Sequence, residues 1–161
     1  MIHIRPAGLI DAAPLAELLN EIIAAGGTTA LTEPVSAEDL KGWMQYHSGR
    51  NAWHLAEDDT GQALGFQYIE PKDTLPPEGC DIATFARRGH SGLGVGSKLF
   101  EATKRAAAGL GYRWINATIR ADNAGGLAYY QSRGFEDYAR QANVPIAKGL
   151  RVDRISKRFD L

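Results

Sequence analysis

The chain is poor in the residues that cross-link a protein or gather around a metal. Cys80 is the only cysteine in 161 residues, so no internal disulfide can form and a cysteine-based zinc cluster is excluded. His3, His47, His54 and His90 show no metal-ligand spacing, and no metal is expected. No apolar stretch approaches the roughly 18 residues of a membrane span. The opening Met1-Ile-His-Ile-Arg-Pro6 lacks the basic head and apolar run of a secretory signal. Charge of one sign is missing too. Eighteen Lys and Arg face nineteen Asp and Glu, a formal net charge of −1, without the basic excess that nucleic-acid or anionic-membrane partners usually demand. The expectation is a cytoplasmic protein with no nucleic acid and no membrane as partner.

With 44% hydrophobic and 23% charged residues, the composition is that of an ordinary globular protein. The length suits a single domain, 1–161, around one core. Ile2 to Arg5 alternates as a short strand stopped by Pro6. Leu15, Leu18, Leu19, Ile22 and Ile23 recur at helical spacing, and Gly26-Gly27 ends that helix. Ser36 to Asp39 resembles a capping box for a second helix carrying Leu40, Trp43 and Met44. Segments 52–57 and 63–69 flank a turn and predict a hairpin. Pro71 to Gly79, with Cys80 after it, reads as loop, and 81–86 as a strand. A helix with Leu99, Phe100, Thr103, Ala107 and Leu110 on its apolar face follows a glycine run. Segment 114–119 predicts a strand, 123–132 a short helix closed by Gly134, and 135–138 and 150–159 the last strands. The order predicts α/β (α+β) content with a mixed sheet.

The glycine run carries the most information. A strand leads into Gly89, Gly92, Gly94 and Gly96, and an amphipathic helix begins at once. Glycines let backbone approach a ligand closely, and a helix N-terminus offers unpaired N–H groups and a partial positive charge, together a phosphate site. A kinase-type P-loop requires Gly-Lys-Ser/Thr, whereas Lys98 follows Ser97. A dinucleotide fingerprint requires a third glycine where Ser97 stands, and an acid about 20 residues on, which is lacking around Tyr112 and Arg113. The third reading is a clamp for a pyrophosphate. A plain strand-to-helix connection is the structural alternative.

Here Gly94-Val95-Gly96 with Leu99 is similar to the core of the GNAT superfamily signature, Gln/Arg-x-x-Gly-x-Gly/Ala opening a helix. Ser91 stands where that signature has Gln or Arg, and Arg87, Arg88 or His90 are candidates to compensate. A second motif lies downstream. Asn123, Tyr130 seven residues later, and Gly134-Phe135 resemble a further GNAT element, with room between the two motifs for one helix and one strand. Glu21-Ile-Ile-Ala, Thr28-Thr29 and Thr32-Glu33-Pro34 are similar to the branch of phosphinothricin and L-amino-acid N-acetyltransferases.

The resemblance implies a central mixed, mostly antiparallel sheet flanked by about four helices. It implies acetyl-CoA as cosubstrate, the primary amine of a small molecule such as an amino acid or analogue as acceptor, and a homodimer by analogy. It assigns Thr84, Phe85 and Ala86 to the pantetheine arm, and Gly92, Leu93, Gly94, Val95, Gly96 and Ser97 to the pyrophosphate. Asn123 would lie near the cofactor, and Tyr130 would act as general acid on the leaving thiol. A tyrosine near pKa 10 and a thiol near 8.5 make full proton transfer uphill by about 2 kcal/mol, so hydrogen bonding alone can suffice. Glu21, Glu33, His54, Asp81 or water are candidate bases, each side chain with a structural reading beside it: helix face, turn, sheet residue and strand edge. A protein or peptide acceptor, and a non-catalytic acyl-CoA sensor on the same fold, are the alternatives.

Overall fold

The computed structural model describes residues 1–89 and 94–161. Seven strands form one sheet: β1 (His3–Pro6), β2 (Ala52–Glu57), β3 (Ala63–Glu70), β4 (Gly79–Ala86), β5 (Trp114–Arg120), β6 (Glu136–Ala147) and β7 (Leu150–Asp160). Their order across the sheet is β1-β2-β3-β4-β5-β7-β6. Every pair is antiparallel except β4 with β5, as expected of a βαβ crossover through a helix. The helices are α1 (Ala12–Ala25), α2 (Ala37–Tyr46), α3 (Val95–Gly109) and α4 (Ala124–Ser132).

Strand alternation divides the core between two faces. Leu15, Leu18, Leu19, Ile22 and Ile23 of α1 and Leu40 and Met44 of α2 bury themselves against Trp53, Leu55 and Phe66. The opposite face carries Ile69, Cys80, Ile82, Ile115, Ala117 and Ile119 under Phe100 and Ala107 of α3 and Tyr130 of α4. The predicted capping box is formed: Ser36 Oγ accepts from the Asp39 amide at 3.0 Å, and the Asp39 carboxylate accepts from the Ser36 amide at 2.9 Å.

Four expectations change. Pro6 does not stop β1 but pairs within it, opposite His54; β1 is an edge strand, where a missing N–H leaves no ladder bond unmade. Gly79 and Cys80 belong to β4 rather than a loop. A side chain at Gly79 would meet the Trp114 ring at 2.7 Å, so the residue that looked like a loop marker admits that ring. Leu110 caps α3 and is about one-third exposed, outside the core. Finally, β6 begins after Phe135, which is buried, and runs to Ala147. Three register shifts against β7 and Asn143 at φ 55° erase the two-residue alternation that would have revealed its length.

Candidate active site

The site is organised by the unequal edges of β4. Towards β3 the strand is paired from Asp81 to Ala86. Towards β5 only Gly79, Cys80 and Asp81 are paired, with Trp114, Ile115 and Asn116. Beyond Asp81 the two strands part, and among the described residues the β5-facing backbone of 82–86 has no neighbouring strand. Thr84, Phe85 and Ala86 all lie on this open edge. Unpaired strand backbone readily accepts an extended ligand as an added strand.

Tyr130 stands beside the opening. Asn123 ends the loop after β5 and caps α4, its Oδ1 accepting from the Gly126 amide at 3.0 Å; Gly134, at φ +102°, turns the chain back at the other end. Between them Tyr130 is buried against Phe135, and its hydroxyl lies 2.8 Å from Thr84 Oγ1. Burial pushes the Tyr130 phenol above its ordinary pKa, so the hydroxyl stays protonated at neutral pH. Thr84 Oγ1 also accepts from Gln67 Nε2 at 2.9 Å, and Gln67 Nε2 donates to Tyr129 Oη at 3.1 Å. Tyr129 donates in turn to the Gly96 carbonyl at 2.7 Å.

At the start of α3, Gly94 occupies the N-cap in the left-handed region, φ +80°, with no side chain capping the helix. The first intrahelical bond runs from Lys98 N–H to the Gly94 carbonyl, so the amides of Val95, Gly96 and Ser97 precede the ladder. A side chain at Gly94 would find open space, whereas one at Gly96 would meet Tyr129 Cε1 at 2.6 Å. Gly94 therefore serves backbone conformation and Gly96 serves packing. Uncapped amides at a helix start beside an open strand edge fit a phosphorylated ligand whose arm runs along that edge. His90, Ser91, Gly92 and Leu93 lie outside the described residues.

Asp81 sits at the last rung before the strands part, on the α1/α2 face. Its carboxylate accepts from Asn116 Nδ2 at 2.8 Å and pairs with Lys72 at 3.5 Å. Burial lifts the carboxyl above the ordinary aspartate range, while Lys72, Asn116 and Arg154 pull it down. By register, Asn116, Thr118, Ser156 and Arg154 share this face. Tyr138 donates to Asn116 Oδ1, and Thr118 and Ser156 hydroxyls meet at 3.1 Å. The α1–α2 loop is tied down above: Arg120 donates to the Thr29 carbonyl at 3.1 Å and Asn123 Nδ2 to the Thr28 carbonyl at 3.2 Å.

The remaining candidate bases are elsewhere. Glu21 is exposed and pairs with Arg87 at 3.2 Å. Glu33 is exposed in the α1–α2 loop. His54 is half-buried in β2 near the sheet edge, and burial lowers its pKa. The buried Cys80 thiol is pushed up to about 12 by burial, which leaves it unreactive. Among the described residues no group of three or more His, Cys, Asp or Glu could hold a metal ion, and no helix is long and apolar enough to cross a membrane. Sequence reasoning missed Gln67, Tyr129 and Asn116. Only Gln67 leaves a trace in the sequence, as an amide amid the apolar residues of β3.

Comparison with known proteins bears on the family and the fold. A protein of Bacillus subtilis (strain 168), named "Putative phosphinothricin acetyltransferase YwnH", is 28% identical over 145 residues, covering 89% of each chain. A crystal structure described as that of "a putative phosphinothricin N-acetyltransferase" superimposes with a TM-score of 0.87 at 27% identity, over 100% of this chain and 99% of that one. The phosphinothricin acetyltransferase of Sinorhizobium meliloti, solved in complex with AcCoA, shares the fold at a TM-score of 0.89 and 19% identity, over 99% of this chain and 88% of its own. The family model for the acetyltransferase (GNAT) family matches residues 16–135, and the chain belongs to that family.

Proposed function

We propose that this enzyme moves the acetyl group of acetyl-CoA onto the primary amine of a small polar molecule, an amino acid or an analogue of one. The observation that carries the reading is the placement of two proton-handling groups about one opening. The Tyr130 hydroxyl lies beside Thr84 on the α3/α4 face, and the Asp81 carboxylate lies at the last β4–β5 rung on the α1/α2 face. A thioester laid along the open edge of β4 has its sulfur near one group and its carbonyl approachable from the other.

In this reading Val95, Gly96 and Ser97 give amides to the pyrophosphate, and 84–86 lend backbone to the pantetheine arm. Asp81 takes a proton from the incoming ammonium, directly or through water. A carboxyl lifted by burial is a better base than an ordinary aspartate. The freed amine attacks the thioester carbonyl, a tetrahedral adduct forms, and the C–S bond breaks with its electron pair on sulfur. Tyr130 donates a hydrogen bond, or its proton, to that sulfur.

A small acceptor is favoured over a peptide by the roof over the acceptor face, where Arg120 and Asn123 hold the Thr28 and Thr29 carbonyls. Among the described residues, Arg154 Nε and Gln141 Oε1 are buried there without a hydrogen-bond partner, a donor and an acceptor suited to a small polar molecule. The test is release of free thiol from acetyl-CoA across a panel of amino acids and amines, run on wild type, Tyr130→Phe and Asp81→Asn. Turnover of one amine that falls sharply in both variants supports the reading. Stabilisation by acetyl-CoA with no amine turned over would replace it with a sensor or a protein acceptor.

A further inference from the structure

Four side chains and one carbonyl form an unbroken line from the start of α3 to Tyr130, and the direction of its first three hydrogen bonds follows from chemistry. The Gly96 carbonyl can only accept, so the Tyr129 hydroxyl donates to it at 2.7 Å. With its hydrogen used, Tyr129 Oη can only accept from Gln67, 3.1 Å away. That contact requires the amide nitrogen of Gln67, settling an orientation that an amide's shape leaves open. The same nitrogen gives its second hydrogen to Thr84 Oγ1 at 2.9 Å. Thr84 Oγ1 then holds one accepted hydrogen, and its 2.8 Å contact with Tyr130 Oη allows either hydroxyl to donate. A hydroxyl that accepts is polarised into a better donor, which favours Thr84 donating to Tyr130 and leaves the phenolic hydrogen for another atom on the open edge of β4.

We propose that Gln67 and Tyr129 are positioning residues for acetyl transfer, holding Thr84 as a donor to Tyr130 so that the Tyr130 proton is presented to the departing sulfur. The inference rests on the general-acid reading of Tyr130. As the C–S bond breaks, sulfur takes the electron pair and Tyr130 shares or gives its proton. The hydrogen bond from Thr84 stabilises the negative charge growing on Tyr130 Oη, and the proton lost by the amine restores the phenol through solvent. Without Gln67 the polarisation of Thr84 is lost, and the reverse direction, Tyr130 donating to Thr84, gains at the expense of the proton offered to sulfur.

Stability does not account for Gln67. It is fully buried in an otherwise apolar stretch, and its Oε1 has no partner among the described residues. An apolar side chain of similar size would avoid that unpaired group. Tyr129 likewise fills the space beside Gly96 with its ring, a task phenylalanine performs equally well. Both residues contribute hydrogen-bond direction that packing does not need.

The test is thiol release by Tyr129→Phe and Gln67→Met, with the best amine of the panel and as basal acetyl-CoA hydrolysis without one. We expect kcat to fall on the order of tenfold in each, the loss of one mis-set hydrogen bond. Stabilisation by acetyl-CoA should persist in both, and the melting temperature of Gln67→Met should hold or rise. In a Tyr130→Phe background the Tyr129→Phe loss should vanish, since there is no longer a proton to direct. Wild-type rates in both single variants, or an equal loss in both backgrounds, would overturn the proposal. If Tyr129→Phe fails to fold, Gln67→Met with its own Tyr130→Phe double variant decides by the same rule. Wild-type rate in Tyr130→Phe alone would remove the general-acid reading itself, a result separable from failure of the positioning pair.

Discussion

The two edges of β4 belong to one strand and behave as two materials. Against β3 the ladder is continuous from Asp81 to Ala86. The backbone there is packed so closely that a methyl group on Gly65 would overlap its neighbours, 2.8 Å from the Phe85 carbonyl oxygen and 2.9 Å from Val95 Cγ1. Against β5 the ladder stops after Asp81, and polar side chains, Thr84, Tyr130, Asp81 and Asn116, take over from backbone pairing. An edge that satisfies itself contributes stability. An edge left unpaired keeps hydrogen-bonding capacity for a ligand.

The comparison predicts that changes at the open edge show in rate and changes at the paired edge show in melting temperature. The largest effect should come from Tyr130→Phe. Its kcat should drop by about 10²- to 10⁴-fold, the usual contribution of a positioned acid, with stabilisation by acetyl-CoA kept; a wild-type kcat would erase the distinction. Asp81→Asn should cost about 10²-fold in kcat/KM and should abolish a pH limb. The carboxyl is lifted by burial, so wild-type kcat/KM should rise with pH through a value above the ordinary aspartate range and then level.

The same lift has a stability consequence of known sign. Between the unfolded and the raised folded pKa of Asp81 the native state binds more protons, so stability falls as pH rises through that window. Thermal melts of Asp81→Asn should lack that decline. At the paired edge, Gly65→Ala should cost about 1–3 kcal/mol through overpacking against Phe85, Ala86 and Val95, read as a lower melting temperature. The smallest change, Asn123→Ala, should remove about 0.5–2 kcal/mol of capping. It should also raise KM for the amine, because the Thr28 carbonyl loses its tie; an unchanged KM would separate the cap from the acceptor site.

Much of this could be read before any coordinates. Gly94 and the Asn123-to-Phe135 element are short-range patterns, and local chemistry makes them legible: left-handed backbone needs glycine, and a helix cap needs a short acceptor. Nothing in the sequence separates Asp81 from Glu21, Glu33 and His54. Four titratable groups in a list differ only in type, and their difference here is burial and partnership. Glu21 is exposed with Arg87, while Asp81 is enclosed with Lys72 and Asn116. Cys80 looked like part of a loop because Pro71 to Gly79 is rich in turn residues, yet Gly79 is there for the ring of Trp114.

By itself the sequence determined the order of strands and helices, the glycine turn into α3, the cap and closing turn of α4, and the lack of any disulfide framework, because each depends on residues within one or two turns of each other. Only the tertiary structure decided where β4 leaves β5, which acid faces the opening, and that Gln67 meets Tyr129 across 62 positions of sequence. Those facts depend on how a twisted sheet brings distant segments together, and no local pattern encodes the point at which two parallel strands part.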